Sequence, residues 1–584
     1  MLVLVLPLAI VAFTVSRPGP LPAPTLPPSF DATAAISLAT ELAGKYPSRV
    51  PGSTGDDRAA RWFEQTLAQY GLATESETWR QQLPGLGEVE LRNVAVVVKG
   101  SARGAIVFAA HRDTSGLGTG ANDNATGTAA LIQLARAYAT VGTAQTKPRP
   151  LHTLVFLSND AGAWGGLGAY HFATHSRFRR DLLAVVTLDG LGGADPPRID
   201  IGGDGGRSPA PALVRTAVAR VREQIGDAPR LPGPLRQLVD LGVPFAFGDQ
   251  APFLGRHASA LRLTTADDTG RSDATDRPAR LDRTRLAHLG AAAQNLLASL
   301  DSAGELAQGT APIVDVHGRV VLGWAIALVL IALLLPFLAA VIDLFVRARR
   351  HEAPLAPAFR ALRRRLGFWA SLGGLVWLGS AVGMLPGGPA RPLPPHGPAA
   401  TDWPVTGLTV LVGGGIVAWF IARRRLVPRR PASHAEELAG YTAALVGLGA
   451  LGVFVAIAHP LALLFLVPSL YLWLWLPQMS GHSRLRDVLF GGGLAGALLV
   501  VISVGDRFQL GVRTPLYLLE LVSVGYVPWT TLVLVLVWAA IASQLAALTV
   551  GRYGPYAGGL RRPPRGPLRE GVRRAVLAAQ SRRR

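Results

Sequence analysis

Two short stretches hold side chains that could do chemistry together. The first, Ile106-Val107-Phe108-Ala109-Ala110-His111-Arg112-Asp113, is an apolar run ending in an imidazole and a carboxylate. The second, Gly120-Ala121-Asn122-Asp123-Asn124-Ala125-Thr126-Gly127, sets a carboxylate at the start of an amphipathic stretch. An imidazole nitrogen ligates a divalent cation, and a carboxylate can bridge two cations through its two oxygens. Asp113 lies two residues past His111, on the same side of an extended chain, where it can orient the imidazole. Asp123, opening a helix, also reads as an N-cap. A His and an Asp at the carboxyl end of a parallel strand stand where α/β sheets bind ligands.

The elements around them fit that placement. From about Asp31 to Asp301, helical patterns at Ala32–Leu42, Asp57–Tyr70, Gly127–Tyr138, Ala210–Ile225 and Arg283–Leu300 alternate with β-rich runs. Those runs are Asn93–Val98, Ala105–Ala110, Thr153–Leu157 and Ala184–Leu188. The alternation predicts an α/β/α sandwich on a mostly parallel central sheet, and near-continuous apolar strands fit a sheet covered on both faces. Ser101, Ser115 and Ser158 lack the Gly-x-Ser-x-Gly setting of an esterase nucleophile. Gly202–Gly206 has no Lys-Ser/Thr after it, so it reads as a turn rather than a phosphate loop.

Past His317 the character changes to an all-α polytopic membrane domain. Apolar stretches run Val320–Phe345, Phe368–Leu385, Val405–Ile421, Gly440–Ala458, Leu461–Leu476, Val488–Val504 and Trp529–Val550. Of the chain's 584 residues, 49% are hydrophobic and 16% charged, as a membrane-embedded part requires. Seven arginines lie in Arg347–Arg365, five in Arg423–Arg430, two in Arg484–Arg486 and ten from Arg552 onward. Arg391, Arg507 and Arg513 are all that the loops between them hold. Basic loops thus alternate in side, which predicts cytoplasmic termini and an extracytoplasmic α/β domain. With Leu2–Val15 counted as an uncleaved anchor, the expectation is eight spans. A cleaved signal peptide is the alternative for that run, although it lacks a basic leader and an A-x-A site. The expected divisions are an anchor at 1–16, a proline-rich linker at 17–30 and the α/β domain at 31–305. A seven-helix transmembrane domain at 306–550 and a basic tail at 551–584 follow.

The formal net charge is +20, but residues 1–319 carry 31 Lys+Arg against 29 Asp+Glu. The remaining 27 basic and 9 acidic residues fall among the apolar stretches and in the tail, the pattern of membrane topology rather than of a nucleic-acid footprint. The lipid bilayer is therefore the expected partner, and nucleic acid is not. The absence of cysteine excludes disulfides, thiolate metal ligands and Cys nucleophiles. Few ionisable residues interrupt the apolar stretches, which argues against a proton-coupled transporter.

The strand with His-x-Asp, the glycine-rich loop and Gly-Ala-Asn-Asp-Asn-x-x-Gly together resemble the M28 family of zinc metallopeptidases. Leu154–Phe172 is similar to the family strand that leads into a Glu-Glu pair. Leu188-Asp189-Gly190, Gly248-Asp249-Gln250-Ala251-Pro252-Phe253 and Ser272-Asp273-Ala274-Thr275-Asp276 resemble later family segments, in family order. The resemblance implies an aminopeptidase fold with two zinc ions bridged by Asp123. His111 would serve one metal and Asp189 the other, with Asp113 behind His111. It also implies losses. The general-base position falls on Gly162, one zinc ligand on Ala163 and another on Ser272. A hydrolytic zinc normally keeps three protein ligands and a water, so zinc is expected to be held weakly or not at all. Asp160 and His257 are the nearest candidates to fill a vacancy, and Trp164 could fill the volume the glutamates leave. Three readings stay open for a protein of the bacterial cell membrane. One is a degenerate peptidase that binds or scaffolds peptides or envelope proteins. The others are an active zinc exopeptidase with altered ligands and an accessory of envelope transport.

Overall fold

The computed structural model describes residues 2–139, 149–267, 269, 274–304, 306, 309–396, 405–427, 432–479 and 482–550. The expected basic tail and Ser272 lie outside these. A seven-stranded sheet organises the first half. Its strands are β1 (Thr74–Leu83), β2 (Gly87–Val98), β3 (Ala105–His111), β4 (Thr153–Asn159), β5 (Leu182–Asp189), β6 (Arg198–Asp200) and β7 (Ala260–Thr264), in the order β1-β2-β4-β3-β5-β7-β6. The centre, β4-β3-β5-β7, is parallel. The edges are antiparallel, through the β1–β2 hairpin, the β2–β4 pairing and β6 on β7.

Strand alternation builds two cores. Ile106, Phe108 and Ala110 of β3 face one way, with Leu154 and Phe156 of β4 and Val186 and Leu188 of β5. Against them pack α1 (Ala32–Lys45), α2 (Thr54–Gln69), α3 (Gly127–Arg136), α4 (Pro211–Ile225) and α5 (Arg283–Ser302). Val107, Ala109, Val155, Leu157 and Val185 face the other way, onto the helices Leu167–His175 and Gln250–Gly255. The result is a three-layer sandwich whose parallel strands all point their carboxyl ends at one edge.

The second half is helical and has its own apolar core, with Phe337, Leu448, Trp473 and Leu545 fully buried. Among the described residues, five helices are long and apolar enough to cross a membrane. They are Gly323–Arg350, Val405–Arg424, His434–Ala458, Pro460–Met479 and Trp529–Thr549. The pair Ser483–Gly493 and Ala495–Arg507, bent by 47°, makes six if it counts as one span. This is fewer than the eight spans expected from the sequence, for two physical reasons. Phe368–Leu385 falls in the helix Leu355–Ala381, whose first half carries Arg360, Arg363, Arg364 and Arg365. The uncharged remainder rises only ~24 Å, against a hydrocarbon core of ~30 Å. The N-terminal helix Leu2–Thr14 has 13 residues, or ~20 Å.

Candidate functional site

The ends of the parallel strands bring the chemical groups together. His111 closes β3 and pairs in register with Asn159 at the end of β4. Ala109 pairs with Thr187, so Asp189, two residues further along β5, is level with His111. Asp123 arrives from the loop ahead of α3, and the Asp123–Asn124 peptide is cis. Asp276 holds this loop, accepting from Asn122 N at 2.7 Å and Asp123 N at 2.9 Å.

His111 is 5% exposed. Its Nε2 lies 3.2 Å from Asp123 Oδ1 and 3.7 Å from Asp189 Oδ1. Its Nδ1 faces Asp113, 3.2 Å from the carbonyl oxygen and 3.3 Å from Oδ1. Asp113 thus orients the ring and leaves Nε2 toward the two carboxylates, as a metal ligand requires. One ligand atom each from His111, Asp123 and Asp189 lie within 4.8 Å of one another. Burial alone would push the imidazole down, but hydrogen bonds and charge from Asp113, then Asp123 and Asp189, hold it well above its ordinary value. Burial likewise opposes ionisation of Asp189, yet His111 and Arg262 pull its carboxyl down to about 2.

The turn after β4 decides what chemistry remains. Asp113 Oδ1 accepts from Gly162 N at 2.7 Å and Oδ2 from Ala163 N at 3.0 Å. The Asp113 carboxylate therefore fixes both the imidazole and the backbone at the positions where the resemblance expects two glutamates. Gly162 is packed directly on the imidazole. A Cβ there would sit 2.4 Å from both Cβ and Cγ of His111 and 2.8 Å from Cδ2. Trp164 packs in one cluster with Leu83, Leu91, Ala161 and Leu167, against which Ala163 also lies.

Arg262 is the functional-site residue that the sequence reading missed. It lies on β7, between β5 and β6, and its Nη1 donates to Asp189 Oδ2 at 2.8 Å. Its Nε and Nη2 reach Asp200 Oδ2 at 2.9 and 2.5 Å. One Asp189 oxygen is thus committed to a built-in cation. The signal was available, since a lone arginine inside the apolar run Ala260–Thr264 has to find a carboxylate when it is largely buried.

Neither proposed substitute ligand reaches the site. Asp160 is fully buried and pairs with Arg112 Nη2 at 2.9 Å, while accepting from Arg92 N and Ala161 N at 2.8 and 2.7 Å. Its carboxylate belongs to an ion-pair cluster completed by Asp56, 3.2 Å from Arg112 Nε. His257 is exposed in the loop before β7. Because β7 runs parallel to β5, that loop lies at the opposite sheet edge, a five-residue strand or ~16 Å away.

The donor set does not fit the pair of zinc ions that the resemblance implies. Gly162 has no room for a base, Ala163 offers no ligand, and a guanidinium takes half of Asp189.

Residues 93–297 match the profile of Peptidase family M28. No curated protein matches the chain. Among solved structures, a glutaminyl cyclase of Bacteroides thetaiotaomicron bound to N-acetylhistamine is similar at 17% identity and a TM-score of 0.39, over 47% of this chain and 99% of that one. A Zn-dependent exopeptidase of Parabacteroides distasonis is similar at 16% identity and a TM-score of 0.38, over 47% and 99%. An aminopeptidase of Aneurinibacillus sp. strain AM-1 is similar at 14% identity and a TM-score of 0.39, over 48% and 96%.

Proposed function

We propose that this chain, whose α/β half carries an M28 peptidase-family domain, is a membrane-bound degenerate peptidase that serves as a binding or scaffolding module outside the cytoplasm. One observation supports the reading above the others: a Cβ at the base position, Gly162, would lie 2.4 Å from Cβ and Cγ of His111. Removing a positioned general base costs about 10²–10⁴-fold in rate, and here no side chain can return without moving the imidazole. The Arg262 guanidinium on Asp189 adds to the case, because it supplies positive charge where a second metal would otherwise be needed. The apolar helices anchor the module in a bilayer. The arginines from Arg347 onward mark the cytoplasmic end of the span Gly323–Arg350, so the α/β half at its other end lies outside, where its open edge meets peptides or envelope proteins.

The clustered His111, Asp123 and Asp189 atoms favour one second reading, a single weakly held cation. One experiment separates the two readings. Purified full-length protein is dialysed after zinc loading, its metal content is measured, and it is offered aminoacyl-arylamide and peptide substrates. The binding-module reading expects no stoichiometric zinc and no released amino acid. Zinc near one equivalent, with hydrolysis abolished by His111→Ala, would overturn it.

A further inference from the structure

The loop that follows the helix Leu355–Ala381 leaves the helical half and lands on the turn beside the candidate site. Its Arg391 is 2% exposed. Arg391 Nε donates to the Gly165 carbonyl at 2.8 Å, and Nη1 is paired with Asp204. The guanidinium lies over the rings of Tyr170 at 5.6 Å and Tyr526 at 5.8 Å. Tyr526, from the helical half, donates its hydroxyl to Asp204 Oδ1 at 2.7 Å. A buried guanidinium is costly unless paired. Here the pairing joins the 162–166 turn, the Gly202–Gly206 loop and the helix Leu167–His175 to the helical half.

The fit is close at Gly165. Its φ is +77°, and a Cβ there would lie 2.2 Å from the Pro392 carbonyl oxygen, so both backbone and space call for glycine. Behind Arg391 the loop is fixed to the helical half. Leu393 O accepts from Tyr517 Oη at 2.8 Å, and His396 Nε2 lies 2.6 Å from Phe508 O. Ahead of it, the turn passes from Gly165 back to Gly162 and Ala163, whose N–H groups are held by Asp113, the residue that orients His111. Contacts therefore run without a break from Tyr526 through Arg391 and the turn to the imidazole.

We propose that Arg391 is a positioning residue through which the helical half sets the 162–166 turn, and with it His111. The candidate site is then assembled from both halves of the chain, and the helical half is more than an anchor. This inference concerns the placement of the turn and stands whether or not the site takes a ligand. Its failure and the failure of the binding-module reading are therefore separately visible.

The natural absence of cysteine allows a clean test on the full chain in detergent. A single reporter thiol is placed in the turn by Ala163→Cys, and a second protein carries a control thiol on α2 by Glu64→Cys. Thiol-labelling rates are compared with Arg391 intact, with Arg391→Ala and with Arg391→Lys. Loss of a charge-assisted tie should speed labelling at 163 by about ten- to a hundredfold, with no change at 64. Arg391→Lys should restore much of the protection, because an ammonium can still meet Asp204. Carbethoxylation of His111, read by mass spectrometry, should rise together with labelling at 163. If Arg391→Ala folds too poorly to purify, Asp204→Asn keeps the Gly165 bond and should give a smaller change in the same direction. Unchanged labelling at 163, or equal acceleration at both positions, would overturn the proposal.

Discussion

The substitution Gly162→Ala isolates the contact on which the closed-site argument rests. Gly162 is not among the residues with positive φ, so alanine meets no backbone strain there. Gly→Ala at such a position stabilises by about 0.4–1 kcal/mol through the unfolded chain. Opposing this, the new Cβ would fall 2.4 Å from His111 Cβ and Cγ, where carbon pairs settle at ~3.5–4.0 Å. The imidazole cannot simply retreat, because Asp113 holds Nδ1 and Asp123 faces Nε2. Overpacking of this kind costs about 1–3 kcal/mol, so the clash wins, and the net loss should be roughly 1–2 kcal/mol. At about 2–4 °C per kcal/mol for a domain of this size, the apparent Tm should fall by about 2–8 °C. The assay is thermal unfolding of full-length protein by tryptophan fluorescence at one scan rate. His111→Gly removes all three clashing atoms, Cβ, Cγ and Cδ2. In that background Gly162→Ala should turn neutral or stabilising, giving a coupling of at least about 1 kcal/mol. An unchanged or raised Tm for Gly162→Ala in the native background would refute the reasoning, as would an equal penalty in both backgrounds. Stoichiometric zinc in Gly162→Glu would refute it from the other side.

Three further outcomes follow from the same geometry. Asp113→Ala leaves the buried Gly162 N–H unpaired at about 1–3 kcal/mol and the half-buried Ala163 N–H at less, so the apparent Tm should drop, and Asp113→Asn, which keeps one acceptor, should cost less. Asp249 is 6% exposed, with Oδ2 bonded by Asn159 at 2.9 Å, and burial raises its carboxyl above the usual range. A folded-state value above the unfolded one means stability is greatest at low pH and falls as pH rises from the unfolded toward the folded value. Asp249→Asn should therefore be more stable than the native chain at neutral pH, with the difference closing as a Tm–pH profile descends into acid. For topology, a reporter in the β1–β2 hairpin tip at Gly85 should read extracytoplasmic and one inserted after Arg350 cytoplasmic, and a shared side would refute the proposed orientation.

What the sequence disclosed and what it hid follow a physical line. Periodicity and apolar runs are local, and each of the four expected strands and five expected helices in the α/β half coincides with an element of the structure. The meeting of His111 and Asp189 was also readable, because two parallel strands that both end in a polar residue place those residues on one edge. Nothing local could say what faces Asp189 across the next strand. That depends on the Thr187–Arg262 register, a tertiary fact, although the isolated arginine in Ala260–Thr264 was its trace. Asp160 shows the converse error. Its nearness in sequence to Gly162 suggested a substitute ligand, yet Arg112, one residue after His111, draws it into a buried ion pair. Glycine at 162 was visible as a missing carboxylate, but only the packing reveals the stronger point. A Cβ at 162 would lie 2.4 Å from Cβ and Cγ of His111, so the packing leaves that position no room for a side chain. Arg391 belongs with Arg262. In a loop otherwise poor in positive charge, a single arginine contributes little to topology, and its buried pairing with Asp204 and Gly165 accounts for its presence there.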